Sequence, residues 1–147
     1  MPVLELTTLI PNRTPEQVLD FCLEGMNFPK IFPERVTLLS EIDLSNLRIE
    51  AGRQFRFRHW MFNLIPSSWT VVIREVGETH FVDEMLEGPL RAFRHEHRVA
   101  AGKGGTLYTD RVTYAAIGGA PLEWLVVNGY MRRIFEARHR NMLGLLG

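Results

Sequence analysis

The densest run of chemically capable side chains is Phe93-Arg94-His95-Glu96-His97-Arg98-Val99. On an extended strand alternate residues share a face, so Phe93, His95, His97 and Val99 lie together. The glycine-rich stretch from Gly102 to Gly105 predicts a hairpin. Its register sets Val99 against Tyr108, His97 against Asp110, His95 against Val112 and Phe93 against Tyr114. Two imidazoles, a carboxylate and a phenol then meet on an otherwise apolar face. A slip of one residue would send every one of them to the opposite face.

Three uses fit this set. A buried His–Asp hydrogen-bond pair would fix a core. Polar anchors in a mostly apolar ligand pocket would orient a small molecule. A metal site would draw on His95, His97 and Asp110, because His-x-His on a strand brings two imidazoles to one side. No cysteine joins them, and that signal is weak; neither a metal nor a cofactor is expected. Were the site catalytic, a histidine of the pair His95 and His97, backed by Asp110, would act as general base. Tyr114 would then serve as acid or oxyanion donor.

Other single residues carry expectations. Asp83 alternates with Phe81 and Met85 and needs a partner if that face is inward. Arg138, inside the apolar stripe of a C-terminal helix, is the candidate, so Asp83, Asp110 and Arg138 form an expected polar cluster. The competing reading lets Arg138 snorkel to the helix edge. His59, on a face with Phe55, Phe57 and Met61, reads first as a satisfied core histidine. Cys22, among Val18, Leu19 and Leu23, reads as a buried free thiol. Arg132-Arg133 and Arg138-His139-Arg140 read as the solvated side and edge of the helix rather than a phosphate patch. The chain has no G-x-S-x-G, P-loop, G-x-G-x-x-G or H-E-x-x-H motif.

The elements that must position these residues follow from periodicity. Residues 3 to 10 (VLELTTLI) predict a first strand. Thr14-Pro15-Glu16-Gln17 is a capping box with proline at the first helical position, opening a helix to about Glu24. Asn27 to Phe32 predicts a second short helix. Strands are then expected at Val36 to Ile42, Arg53 to Phe62, from Pro66 (Trp69, Val71 and Ile73 on one face), His80 to Leu86, Arg91 to Ala100 and Thr106 to Ala116. Short turns between them mean an antiparallel meander. From Leu122 to Leu146 the period becomes helical, with Trp124, Val127, Met131, Ile134, Phe135, Met142 and Leu145 on one side. About 24 residues at about 1.5 Å each give roughly 36 Å, enough to cross the sheet. The class is α+β, one domain over residues 1–147.

Composition narrows the function classes. Lys plus Arg equals Asp plus Glu at 17 each, whereas a nucleic-acid binder usually carries a basic excess. The single cysteine forbids an internal disulfide. No stretch approaches the roughly 18 apolar residues of a membrane span, and the N-terminus does not read as a signal peptide. A cytoplasmic protein, monomer or homodimer, is the expectation; Trp60 and Phe62 on the outer face would permit a dimer.

The order of strand, two short helices, six strands and long helix resembles the START and birch-pollen-allergen superfamily, the SRPBCC proteins. Gly52 before Phe55 and Phe57, Ile65-Pro66 with Trp69, Phe81-Val82-Asp83-Glu84, Gly88-Pro89, His95-Glu96-His97, Asp110-Arg111-Val112-Thr113-Tyr114 and Ile134-Phe135-Glu136-Ala137-Arg138 are similar to its bacterial ligand-binding subgroup, near the polyketide cyclase/dehydrase branch. Two positions depart from that pattern. Met85 stands where glutamine is common and Phe93 where tryptophan is common, which favours a more apolar pocket.

The resemblance implies a helix-grip fold, a seven-stranded curved antiparallel sheet gripping the C-terminal helix over a cavity. It does not imply a reaction. The expected function is binding or carrying an apolar or aromatic molecule, a lipid or polyketide-like metabolite. The cavity, a few hundred Å³ in size, would be lined by Phe57, His59, Trp69, Val71, Asp83, Phe93, His95, His97, Tyr114, Trp124 and Met131. A cyclase or dehydratase, and a structural protein with a filled core, are the alternatives.

Overall fold

In the computed structural model, residues 2–39, 47–118 and 120–147 are described, without the side chains of residues 122–124. The strands are β1 (Val3–Pro11), β2 (Val36–Leu38), β3 (Gln54–Met61), β4 (Ile65–Val76), β5 (His80–Glu87), β6 (Ala92–Gly102) and β7 (Gly105–Ala115). They form one antiparallel sheet in the order β1-β7-β6-β5-β4-β3-β2. Six strands follow one another as a meander, and β1 pairs with the last of them. The expected end of β2 at Ile42, and the start of the irregular loop that the sequence places at Ser45 to Gly52, lie outside the described residues.

Between β1 and β2 come α1 (Pro15–Leu23), a 3-10 turn (Gly25–Asn27) and α2 (Phe28–Ile31). The capping box is present: the Gln17 amide donates to Thr14 Oγ1 at 3.2 Å, and the Thr14 amide to Gln17 Oε1 at 2.9 Å. Val18, Leu19, Cys22 and Leu23 are the face that α1 buries.

Two features shape the sheet. The β4–β5 register shifts between Thr70 and Val71 and again between Ile73 and Glu75. Each such irregularity bends and twists a strand, and here they curve the sheet around the helix. At the β6–β7 turn, a Cβ on Gly105 would stand 2.1 Å from the Ile10 carbonyl oxygen. Only glycine lets β1 close on β7 there, so Gly105→Ala is expected to destabilise by about 1–3 kcal/mol, the range for overpacking. A urea midpoint equal to wild type would count against that reading.

The C-terminal helix is not uniform. A turn at Ala120–Leu122 leads into a π-helical turn, Glu123–Val127, and then α4 (Asn128–Leu146). Along α4 the buried residues are Met131, Ile134, Phe135, Arg138, His139, Met142 and Leu146. Two sequence expectations are corrected. Leu145 is 50% exposed and Leu146 takes its place, one full turn beyond Met142. Arg138 and His139, expected at a solvated edge, are 4% and 5% exposed. Both lie on the side of α4 that faces β7 and β1, where Asp110 and Thr8 receive them. Among the described residues no helix is long and apolar enough to cross a membrane.

Candidate functional site

The hairpin register is the one the sequence specifies: Val99 opposite Tyr108, His97 opposite Asp110, His95 opposite Val112, Phe93 opposite Tyr114. All lie on the concave face, under α4. The focus is Asp110, 1% exposed. Its Oδ1 accepts from His95 Nε2 at 2.6 Å and from the Tyr108 hydroxyl at 2.7 Å. Its Oδ2 accepts from His139 Nε2 at 2.9 Å and Arg138 Nε at 3.1 Å. Four bonds use the whole acceptor capacity of a carboxylate. Burial acts to raise its pKa, but the Arg138 charge, His95 and the bonds from His139 and His95 outweigh it and hold it well below the usual range.

Arg138 is therefore partnered by Asp110, not by Asp83 as the sequence suggested, and it does not snorkel. Its terminal nitrogen also donates to Tyr108 Oη at 3.0 Å and to His97 Nδ1 at 3.3 Å. Burial alone would lower the guanidinium pKa; Tyr108 and Asp110 reverse that and raise it. The Tyr108 hydroxyl is in turn pushed well up by burial.

His97 stands opposite Asp110 along the backbone, yet its ring turns to β5: Nε2 lies 2.6 Å from Asp83 Oδ2. Because Arg138 donates to Nδ1, that nitrogen is an acceptor, and the proton of a neutral ring sits on Nε2, facing Asp83. Burial first and the neighbouring His95 second bring the His97 pKa down to about 4. His95 Nδ1 lies 3.6 Å from the same Asp83 oxygen. Burial acts to raise the Asp83 pKa, but His95, the bond from His97 and Arg138 bring it below its ordinary value. The rings are packed closely, His97 stacked on Phe81 with centroids 3.8 Å apart and His95 tilted against His97 at 3.6 Å.

Between this cluster, α2 and α4 lies a cavity of about 190 Å³. Asp83, His95, His97 and Arg138 form its polar end. One wall is aromatic: Phe57 stacks on Trp69 at 5.9 Å and 8°, and Trp69 meets Phe93 edge-on at 5.2 Å. Val71 and Met131 line it as well. Trp69 Nε1 is buried without a hydrogen-bond partner. His59 lines the far end beside Tyr130. Its Nε2 is 2.7 Å from Glu34 Oε1, which also accepts from the Tyr130 hydroxyl. Burial and then Glu34 raise the Tyr130 pKa. Cys22 also lines the cavity, its thiol pushed up to about 12 by burial.

Two expected lining residues do not contribute described atoms. Tyr114 is buried against Met131 and Phe135, and its hydroxyl donates to Asn128 Oδ1, outside the cavity lining. The Trp124 side chain lies outside the described residues. Sequence reasoning passed over Tyr108, His139, Glu34 and Tyr130 as site residues. Tyr108 was accessible, since it shares the strand face of Asp110 two residues away. His139 Nδ1 lies 2.7 Å from Thr8 Oγ1, a partner 131 residues away. The Glu34–His59–Tyr130 triad joins three elements that no periodicity links.

No protein-family model matches the chain, and no curated protein matches its sequence. Solved structures do match its shape. A START superfamily protein from Mycobacterium smegmatis superposes with a TM-score of 0.71 at 10% identity, covering 98% of this chain and 96% of that one. A Thermus thermophilus protein gives 0.69 at 19%, covering 97% and 95%. The major latex-like protein 151 of Panax ginseng gives 0.70 at 12%, covering 99% and 97%. The chain has the START-like helix-grip fold, over nearly its whole length.

Proposed function

We propose that the chain binds one small aromatic molecule in the cavity between sheet and α4. The observation that carries this is the space of about 190 Å³ with an aromatic wall and a polar end formed by Asp83, His95 and His97. An apolar cavity of about 150 Å³ accommodates benzene, so this one suits a single ring with a small polar substituent. Lipids and fused polyketides need more room, which shifts the ligand class toward phenol-sized compounds. A ring hydroxyl would meet the Asp83 carboxylate, while Phe57, Trp69 and Phe93 supply face and edge contacts. Volume left open argues against a purely structural role. The cyclase reading loses its acid, because Tyr114 is spent on Asn128, although His95 backed by Asp110 still fits the role of its base.

Calorimetry with phenol and indole as probes tests this. Wild-type protein is expected to take up one equivalent, and Val71→Phe, which fills the space, to weaken uptake at least about tenfold while staying folded. If neither probe binds at millimolar concentration, or if Val71→Phe binds as wild type does, the reading is wrong.

A further inference from the structure

We propose that Asp83, His95 and His97 form a binding site for one divalent transition-metal ion, with its open coordination positions facing the cavity. This goes beyond the aromatic-ligand reading and does not rest on it. Each residue offers one ligand atom, all within 4.8 Å of one another, and the contacts to Asp83 Oδ2 point to His95 Nδ1 and His97 Nε2. The fold converges them by strand geometry. His95 and His97 are alternate residues of β6, and Asp83 is directly opposite His95 on β5. An ion about 2.0–2.2 Å from each atom needs donors about 3.0–3.5 Å apart. Two of the three separations, 2.6 Å from Asp83 to His97 and 3.6 Å from Asp83 to His95, bracket that range, and the third is within 4.8 Å, so binding an ion requires the side chains to rotate.

The surrounding shell suits a metal ion. His95 donates its Nε2 proton to Asp110, so in the neutral ring the Nδ1 lone pair faces the Asp83 carboxylate at 3.6 Å. Without an ion, a proton on Nδ1 bridges these two atoms, and a metal ion takes that proton's place. A carboxylate that receives the second N–H of a ligating histidine is also the usual way of orienting that ring and strengthening its donor nitrogen. Asp110 does this while itself held by Tyr108, Arg138 and His139. Metal ligation keeps the imidazoles neutral. The buried group then carries two carboxylates against one guanidinium, a deficit of positive charge that a divalent ion supplies.

One cost is visible. His97 must move its proton from Nε2 to Nδ1, where Tyr108 Oη at 3.2 Å accepts it; the Arg138 contact at 3.3 Å is given up. Two imidazoles and one carboxylate, with no thiolate, select zinc, cobalt, iron(II) or nickel over calcium or magnesium. Three protein donors leave positions for water or a ligand oxygen, as in catalytic rather than structural sites.

The test is titration of chelator-treated protein with Co²⁺, read by visible absorption, and with Zn²⁺, read by calorimetry. Expected is one equivalent, with the d–d bands of a four- or five-coordinate ion. Asp83→Asn and His95→Gln, both checked for native near-ultraviolet circular dichroism, should each weaken binding at least about 100-fold. His80→Ala, which removes the half-exposed His80–Glu75 pair, should bind as wild type does. Absence of bands in wild-type protein overturns the proposal. So does binding that survives Asp83→Asn and His95→Gln but is lost in His80→Ala. The aromatic-probe experiment, run on metal-free protein, reports on its reading separately.

Discussion

An Asp110→Ala variant is expected to melt roughly 10 °C below wild-type protein, a loss of about 3–5 kcal/mol. The side chain is 1% exposed and accepts four hydrogen bonds. Truncating it strands a guanidinium that is itself 4% exposed, and leaves His95 and His139 without acceptors. Breaking a buried pair from one side costs far more than the pair contributes, because the surviving charge stays desolvated. Two comparisons sharpen the expectation. Asp83→Asn should cost clearly less, since Asp83 is 17% exposed and its close contact is one histidine. Asp110→Leu combined with Arg138→Met should recover part of the loss, because no lone charge remains. Thermal melts of the four proteins decide it. An Asp110→Ala melting point within about 2 °C of wild type would mean that the network is worth less than its geometry says.

Acid is expected to weaken the protein by about 3 kcal/mol through His97 alone between pH 6.5 and 4. In the folded state the pKa of His97 is about 4, lowered by burial and by His95. In the unfolded chain it returns to about 6.5. Between those values the unfolded chain holds the extra proton, so lowering the pH favours unfolding. The contribution is complete above pH 6.5 and is lost as the pH falls through 4. Asp83 and Asp110, both held below their ordinary values, add a further loss at lower pH with the same sign. Urea midpoints at pH 7.5 and 4.5 measure the slope. His97→Gln, which cannot take up the proton, should start lower and fall less. A variant that falls as steeply as wild type would assign the slope to other groups.

The hairpin that carries the site was readable because two independent signals agree on it. Strand alternation through Phe93, His95, His97 and Val99 and the glycine turn suggest the same register, and the structure adopts it rather than the one-residue slip. The capping box at Thr14 was equally local. What the sequence could not supply is the choice each side chain makes among partners within reach. His97 sits opposite Asp110 but bonds to Asp83, and His95 reaches Asp110 diagonally, because ring rotation adds a freedom that backbone register does not control. Arg138 stands out of place in an apolar stripe, but its partner does not follow from that, because the phase of α4 against β7 depends on the π-helical turn, which no residue pattern announced. His139 reads with Arg140 as surface for the same reason. The cavity, smaller than expected, reflects how far Phe57, Trp69 and Phe93 lean into it, a packing outcome that composition leaves open.

The reach of the Asp110 network also bears on how the chain folds. It ties β1 through Thr8 and His139, β6 through His95, β7 through Asp110 itself, and α4 through Arg138. The Thr8–His139 bond spans 131 residues, so closing it comes with the largest loss of chain entropy in the set. Until α4 docks, Asp110 and Arg138 are better served by water than by an apolar interior. Helix docking and sheet closure are thereby bound into one event: a half-docked helix would bury one charge without the other. Contacts this distant in sequence belong to slow folders, and here they give the last step an all-or-none character that apolar packing, which accumulates residue by residue, does not impose.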